Sequence, residues 1–217
     1  MKLETVHDSD RLQRTMFVCG ILSSILYVVT DILGGIMCGN YDFTSQYVSE
    51  LSAIGSPSRP FVVSLYIVYN FLVMAFIAGV WQGSIGKRNL QMLSCLLCGY
   101  VLGGLVGLFF PMDPSELGTA FTNAMHQTLA GVTVLFILLS LAVGAYTQRK
   151  RFGFYSIGTI LIYLALGSLP FLGVAQVEEG LSTPWLGLVE RIMVYGYMLW
   201  IGILSALLLR RERYLNS

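Results

Sequence analysis

The sequence predicts an all-α, polytopic membrane helix bundle with six transmembrane helices, and three observations lead to this fold class. Of the 217 residues, 55% are hydrophobic and only 12% are charged, whereas soluble domains carry about a quarter charged residues. The apolar residues form runs of about 20 residues, which is the length of helix that crosses a bilayer. The basic residues gather in alternate connections between these runs, as they do in multi-pass membrane proteins.

The predicted spans occupy most of the chain, so we expect one integral membrane domain over residues 1–217. The spans cover about residues 16–38, 61–82, 90–110, 121–147, 152–174 and 186–209. The first run is longer than the apolar core of a signal peptide and contains Asp31, so we expect it to be retained as a helix. A formal net charge of +1 gives no reason to expect a nucleic-acid partner.

The distribution of basic residues predicts the orientation of the chain. Eleven of the 13 lysines and arginines lie in the N-terminus, the C-terminus or the second and fourth connections, and the remaining two are Arg59 and Arg191. Cytoplasmic loops of membrane proteins carry the excess of lysine and arginine. We therefore predict that both termini are cytoplasmic, in a multi-pass protein of the cytoplasmic (plasma) membrane.

The first outer loop predicts a short amphipathic helix that lies on the membrane surface or over the mouth of the bundle. Thr44 or Ser45 is a suitable N-cap, and Gly55, with Pro57 two residues later, is a typical stop signal. Its apolar positions recur every three to four residues, at Tyr47, Leu51 and Ile54.

The third predicted span contains two overlapping patterns of small residues, formed by Gly99, Gly103, Gly104 and Gly107. Glycines spaced in this way let a neighbouring helix approach closely. We expect this span to be tightly paired, and we assign the pattern to packing.

Asp31 and His126 lie within predicted spans, and Glu190 and Arg191 open the last span just inside its outer end. A carboxylate inside a membrane costs roughly 2.5–3.5 kcal/mol on insertion scales, so Asp31 needs a partner or a proton. Glu190 and Arg191 are adjacent and cannot face each other on a helix. Arg191 must therefore pair elsewhere, and Asp31, Glu50 and Asp113 are its candidate partners.

Together these residues predict a polar pocket that opens outward and is capped by the loop helix containing Glu50. As a binding site, its ligand contacts would be Asp31, Ser49, Glu190 and Arg191. As an active site, His126 would be the general base, oriented by Asp113 or Glu50. In that case Arg191 would stabilise developing negative charge.

The order of these motifs resembles a family of membrane proteins known as domain of unknown function 998. The similarity lies in Ser49-Glu50-Leu51, Phe110-Pro111-x-Asp113, His126 and Glu190-Arg191, taken in that order across nearly the whole chain. The resemblance implies a six-helix fold with these residues on the outward side, and it implies no reaction.

A looser likeness is to membrane hydrolases of the ceramidase and adiponectin-receptor type, which place Ser, Asp and His at one end of a bundle. Those enzymes have seven helices and bind zinc through three histidines, whereas this chain has a single histidine in a span, His126. A zinc site here would depend on carboxylates, which is unusual for that metal. No cofactor is predicted.

Three functions remain open at this stage. The first is a module that binds or transports a membrane lipid, a small amphiphile or a small solute. The second is an intramembrane hydrolase that uses His126, with Ser49, Ser52 or an activated water as the nucleophile. The third is a structural protein in which the ion pairs lock the helices together and a protein partner carries the function.

Overall fold

The computed structural model describes residues 2–84, 86–113, 120–147, 150–169 and 183–215. Within this part of the chain the regular structure is entirely helical, which confirms the all-α class. The α-helices are Lys2–Met37 (α1), Arg59–Gln82 (α2), Arg88–Gly107 (α3), Ala120–Thr147 (α4), Lys150–Leu166 (α5) and Leu186–Leu215 (α6), and a 3₁₀ helix, Val48–Ser52, lies between α1 and α2.

Five of the described helices are long and apolar enough to cross a membrane, namely α1 from Asp10 onward, α2, α3, α4 and α6. The protein is therefore a multi-pass membrane protein. Helix α5 has 17 residues and ends at Leu166, which corresponds to about 25 Å at 1.5 Å per residue, against a hydrocarbon core of about 30 Å. The rest of the fifth predicted span, residues 170–174, lies outside the described residues. Six spans and cytoplasmic termini stay predictions.

The helices form a closed ring in which each one packs against its neighbours in the sequence. The last helix, α6, packs against both α5 and α1 and so completes the ring. Lys87, before α3, and Arg211, in α6, line the same small cavity, so these two basic segments lie at one end of the bundle. The opposite end carries residues 38–58, and we call it the outer end, following the predicted orientation.

The glycine pattern of the third span gives the close packing that the sequence predicts. A Cβ atom on Gly99 would collide with the ring of Phe136 in α4, and one on Gly103 would lie 2.7 Å from Oγ1 of Thr133. The α3 helix ends at Gly107, three residues before the predicted end of the span. The chain then turns through residues 108–110 and reaches Pro111.

Many serine and threonine hydroxyls within the helices bond to the backbone of their own helix. Each of several serines and threonines donates to the carbonyl four residues earlier, including Ser24, Thr30, Ser94, Ser156, Thr159 and Ser205. A membrane offers no water for such groups, so this local bond removes the cost of burying them.

An aromatic cluster around Trp200 joins α5 and α6. The indole ring is fully buried and stacks on Tyr197 and Phe152, with ring centroids 5.6 Å and 5.5 Å away. Its Nε1 atom donates to Oγ of Ser156 at 2.8 Å. This packing fixes the position of α6, whose first turns carry Glu190 and Arg191 at the outer end.

The predicted loop helix is present, but it is a five-residue 3₁₀ helix preceded by Tyr47 rather than a helix capped at residue 44 or 45. It packs on α1, α2 and α6 and therefore covers the outer end of the bundle. Tyr47 and Leu51 are buried, as expected, whereas Ile54 is 48% exposed. The predicted apolar face does not extend to Ile54, because the helix ends at Ser52 and the helical period stops there.

Candidate functional site

The outer end is organised around a buried ion pair between α1 and α6. Arg191 donates from Nε to Oδ2 of Asp31 and from Nη2 to Oδ1, both at 2.9 Å. The Asp31 carboxylate is fully buried and Arg191 is 6% exposed. Among the three partners that the sequence allowed for Arg191, the structure selects Asp31. The two parallel bonds are the strongest arrangement available to this pair of groups.

The remaining N–H groups of Arg191 bind the first outer loop. Nη2 donates to the hydroxyl of Tyr41 at 2.6 Å, and Nη1 lies 2.7 Å and 3.0 Å from the carbonyls of Phe43 and Gln46 and 3.1 Å from that of Gly187. A guanidinium has five N–H donors, and the protein itself engages all of them. A ligand would have to displace one of these partners to bind Arg191 directly.

Aromatic side chains complete the surroundings of the ion pair. The guanidinium carbon of Arg191 lies 5.4 Å from the ring centre of Tyr41 and 4.9 Å from that of Phe43, within the range of cation–π attraction. The hydroxyl of Tyr195, one helical turn beyond Arg191, donates to Oδ2 of Asp31. Asp31 thus accepts from two residues of α6, and the pair lies in a largely saturated polar network.

The first turn of α6 is also docked directly onto the backbone of the outer loop. The N–H of Leu188 donates to the carbonyl of Thr44 at 3.0 Å, and Oε2 of Glu190 accepts from the N–H of Val48 at 2.6 Å. A Cβ atom on Gly187 would collide with the carbonyl of Gln46. Glycine is therefore needed at this position, and Glu190 and Arg191 bind different groups of the same loop.

Glu50 holds the 3₁₀ helix from within the loop. Its Oε1 atom accepts from the backbone N–H of Tyr47 at 2.9 Å, and Oε2 accepts from Nε2 of Gln46 at 2.7 Å. The first of these bonds satisfies an N–H that the helix itself leaves unpaired. Glu50 is half-buried, at the wall of an open cleft.

That cleft lies at the outer end and has a volume of about 350 Å³. It lies between the end of α1 and the chain on either side of the 3₁₀ helix. The residues that line it are Cys38, Asn40, Tyr41, Gln46, Glu50, Ala53, Ile54, Gly55, Ser56 and Pro57. Small-molecule sites have volumes of about 300–1,000 Å³, so the cleft is large enough for a small ligand or a head group.

His126 and Asp113 belong to a second cluster, at the exit from α3. Nδ1 of His126 lies 3.0 Å from the carbonyl oxygen of Phe110, and the Asn123 amide exchanges two bonds with the backbone of Asp113, at 3.0 Å and 3.1 Å. The first turns of α4 thereby hold the turn that follows α3. The Asp113 side chain is largely buried.

The loop connects these two clusters through Met112. The N–H of Ile54 donates to the carbonyl of Met112 at 3.0 Å, and the Ser49 hydroxyl lies 3.6 Å from its sulfur. The structure thus brings Asp31, Glu190 and Arg191 together with the loop that carries Ser49 and Glu50. It places Asp113 in the neighbouring turn after α3 and His126 on α4, with Nδ1 of His126 on a backbone carbonyl rather than on either predicted carboxylate.

Two members of the network were missing from the sequence-based site, Tyr41 and Tyr195. Tyr195 follows Arg191 by four residues, so it shares the face of α6 that carries the ion pair. That spacing was the available signal. Tyr41 lies in a loop, where no period relates it to Arg191.

Three side chains of the loop have pKa values that differ from those of the free amino acids. Burial raises the pKa of Tyr41 above 10, despite the hydrogen bond from Arg191, and burial likewise raises that of Tyr47. Tyr41 therefore remains protonated and donates to the carbonyl of Tyr47 at 2.6 Å. Hydrogen bonds from the backbone N–H of Thr44 and from the hydroxyls of Ser45 and Thr44 lower the pKa of the exposed Asp42.

Among the described residues, no group of three or more His, Cys, Asp or Glu side chains is close enough to hold a metal ion. The carboxylate-rich metal site that the sequence left open thus gains no support from the arrangement of these residues.

The comparison with known families agrees with the resemblance noted in the sequence. A family model described as protein of unknown function (DUF998) matches residues 21–207. The chain belongs to the DUF998 family. The matched segment includes both partners of the buried ion pair, the whole first outer loop and the His126 turn. No curated protein and no solved structure matches the chain.

Proposed function

We propose that this DUF998 protein binds a small polar molecule, or the head group of a membrane lipid or other amphiphile, in the outer cleft beside Glu50. The observation that carries the proposal is the cleft itself, about 350 Å³ in volume and lined mainly by polar side chains and small residues of the loop. The loop that forms it is attached to α6 and to the α3 turn, so the cleft has a rigid wall before any ligand arrives. A preformed wall reduces the entropy lost on binding.

In this proposal Arg191 and Asp31 act at a distance from the ligand. Since the five donors of Arg191 are all engaged, its contribution is to hold Tyr41 and Gln46, both of which line the cleft. Glu190 contributes in the same way by holding the N–H of Val48. Of the predicted ligand contacts, Ser49 belongs to the loop itself, as does Glu50, which was predicted to cap the pocket.

Native mass spectrometry of the protein, released from membranes with a mild detergent, tests the proposal. We expect a stoichiometric small molecule or lipid on the wild-type protein and its loss when Ile54, in the cleft wall, is replaced by Trp. The matched control is Ile157→Trp, at an exposed position on α5 that is 49% accessible. Equal retention of the ligand by both variants would show that the bound molecule lies elsewhere on the protein.

A hydrolase is the second candidate, and one observation favours it. A carbonyl oxygen only accepts hydrogen bonds, so Nδ1 of His126 carries the proton in its bond to Phe110, and Nε2 of the neutral ring keeps a lone pair. A fixed ring with a free basic nitrogen is what a general base requires. The bonds from Asn123 to the Asp113 backbone steady the same turn.

The test of this second candidate is turnover of a lipid extract by purified wild-type protein beside His126→Gln and Asn123→Ala. A general base at His126 predicts loss of the product with His126→Gln. Asn123→Ala, which weakens the same turn without changing the base, should keep a measurable rate. An equal loss in both variants would assign His126 to the structure of the turn.

The proposal also includes the predicted orientation, with both termini cytoplasmic, and the predicted location in the cytoplasmic membrane. They are supported by the basic residues at the end of the bundle opposite the cleft. Single cysteines at the exposed positions Asn40 and Asn89, in a background without native cysteines, test the orientation in intact cells. We expect a membrane-impermeant maleimide to label position 40 and to label position 89 only after the cells are opened.

A further inference from the structure

We propose that the outer cleft is selective for a cationic group, an ammonium carried either by a lipid head group or by a free small amine. The inference rests on the proposed function, since it names the ligand class of the same cleft. It depends on the charge of the lining residues, on the unused hydrogen-bonding capacity of Glu50 and on the engagement of the nearby arginines.

The charge of the cleft is negative. Of the described residues that line it, Glu50 is the one with a carboxylate, and none is a lysine, an arginine or a histidine. Burial keeps the hydroxyl of Tyr41 protonated, and the other polar lining groups are amides, a hydroxyl and a thiol. A cleft with one carboxylate and neutral polar neighbours attracts cations and repels anions.

Glu50 retains capacity for a ligand. Each of its two oxygens accepts one hydrogen bond within the loop, from Gln46 and from Tyr47. A carboxylate has about four acceptor positions, so about two remain. Within the described chain no lysine, arginine or histidine lies within ion-pair distance of this carboxylate. An ammonium ion would supply both the missing charge and the missing donors.

The arginines of the outer end do not compete for Glu50. Arg191 is fully engaged by Asp31, Tyr41 and backbone carbonyls. Arg59 donates to the carbonyl of Ser52 at the end of the 3₁₀ helix. Neither arginine is among the described residues that line the cleft. An anionic ligand would therefore meet the Glu50 carboxylate without a guanidinium in the lining to offset it, and this contact is unfavourable in a partly buried site.

The size of the cleft limits what enters it. A volume of about 350 Å³ accommodates an ethanolamine or trimethylammonium group, whereas the acyl chains of a lipid must remain outside. Ile54 and Pro57 provide apolar surface in the lining, where the first carbons of an amphiphile would lie. The same chemistry fits a free amine of similar size, and the experiment separates the two sources.

The first arm of the test uses soluble probes on the purified full-length protein in nanodiscs of phosphatidylglycerol. Binding of ethanolamine hydrochloride is measured by saturation-transfer NMR, with ethylene glycol as a neutral analogue and inorganic phosphate as an anion. We expect binding of ethanolamine alone. Glu50→Gln should weaken it about tenfold or more, because a hydrogen bond to a charged acceptor is lost while an oxygen remains for the Tyr47 N–H.

Two variants serve as controls for this arm. Asp42→Asn removes a negative charge from the same loop, and since Asp42 is exposed and lies outside the cleft lining, affinity should change by less than twofold. Ile54→Trp leaves Glu50 in place and fills the cleft, so it should abolish binding even if Glu50→Gln proves unstable. Equal affinity of wild type and Glu50→Gln, or preferential binding of phosphate, would overturn the proposal.

The second arm compares nanodiscs that contain phosphatidylethanolamine or phosphatidylcholine with nanodiscs of phosphatidylglycerol alone, by native mass spectrometry. Retention of an ammonium lipid by wild type, lost with Glu50→Gln, assigns the site to a lipid head group. Binding of soluble ethanolamine without lipid retention assigns it to a free amine. If neither binds but another molecule is lost with Ile54→Trp, the cleft is a binding site and the cationic class is wrong.

Discussion

The Arg191 network and the cleft beside Glu50 share one loop, yet they differ in how fully their polar groups are used. Every N–H of Arg191 has a partner inside the protein, and Asp31 accepts from both Arg191 and Tyr195. Glu50 accepts two bonds and faces an open space of about 350 Å³. A buried charge with all its partners is suited to holding structure, and a charge with free capacity at a cleft is suited to binding.

The comparison explains why the most unusual residues of the sequence are not the best candidates for ligand contact. A buried ion pair costs desolvation and is stable only when its hydrogen bonds are complete. Asp31 and Arg191 meet this condition by engaging one another and the loop. The loop is then held in place, and less conspicuous residues such as Tyr41 and Gln46 form the wall that a ligand would touch.

The largest effect is expected from Arg191→Ala, which leaves Asp31 buried without its main partner. Removal of one member of a buried ion pair costs about 3–5 kcal/mol of stability. Unfolding of the purified protein in detergent should show this loss. Arg59→Ala, which removes an arginine bonded to a single carbonyl, should cost far less. A similar loss of stability in both variants would mean that the Arg191 network holds the protein together no more strongly than the single bond of Arg59 does.

A smaller loss of stability is expected from Tyr195→Phe. This change removes one hydrogen-bond donor to the Asp31 carboxylate and leaves the ring in place. A hydrogen bond to a charged group contributes about 1.5–3 kcal/mol. Tyr146→Phe is the control, because Tyr146 is 85% exposed. The same unfolding measurement should separate the two variants, and equal stability would mean that Asp31 is satisfied by Arg191 alone.

Gly187→Ala tests how closely α6 approaches the loop. The added methyl would collide with the Gln46 carbonyl and lie 2.8 Å from that of Phe43, and overpacking of this kind costs about 1–3 kcal/mol. Hydrogen exchange should speed up in the loop backbone around residues 43–48. In Gly131→Ala in α4, the added Cβ would meet no atom within 4 Å beyond its chain neighbours and the backbone of its own helix. This variant should leave exchange in the loop around residues 43–48 unchanged. Unaltered exchange in the Gly187 variant would contradict the docked arrangement.

The smallest effect concerns Asp42, whose pKa is lowered from 3.8 by hydrogen bonds from Thr44 and Ser45. The folded loop therefore favours the charged form. This stabilisation is present above about pH 4, the range of the unfolded carboxyl, and it is lost as the pH falls through the lowered pKa. Wild type should be slightly more stable than Asp42→Asn at neutral pH, and the difference should vanish in acid. A difference that grows in acid would reverse the sign of the argument.

Much of this architecture follows from the sequence, because apolar length and glycine spacing act locally. Asp31 and Arg191 were both expected to need partners, because a charged side chain inside a membrane is unfavourable without one. Their choice of each other depends on how α1 and α6 are rotated in the closed ring, which no local pattern encodes. The bond between His126 and the Phe110 carbonyl was missed for the same reason, although Pro111 has no N–H to donate and the end of α3 leaves carbonyls unpaired nearby.

The loop was the hardest part to anticipate. The recurrence of Tyr47, Leu51 and Ile54 predicted one continuous apolar face, and the chain departs from the helical period after Ser52. Contacts from α6 and from Met112 shape the loop, and they come from segments far away in the sequence. Ile54 consequently lies in the cleft wall instead of the core.

The separation between Asp31 and Arg191 has a consequence for the biogenesis of the protein. The two residues are 160 positions apart, so at roughly 5–20 residues per second the ribosome needs about 8–32 s to deliver the second after the first. Throughout that time the first helix resides in the bilayer with an uncompensated acid. The nascent chain therefore depends on its last helix, and forms truncated before Arg191 should be substrates for membrane proteases and chaperones.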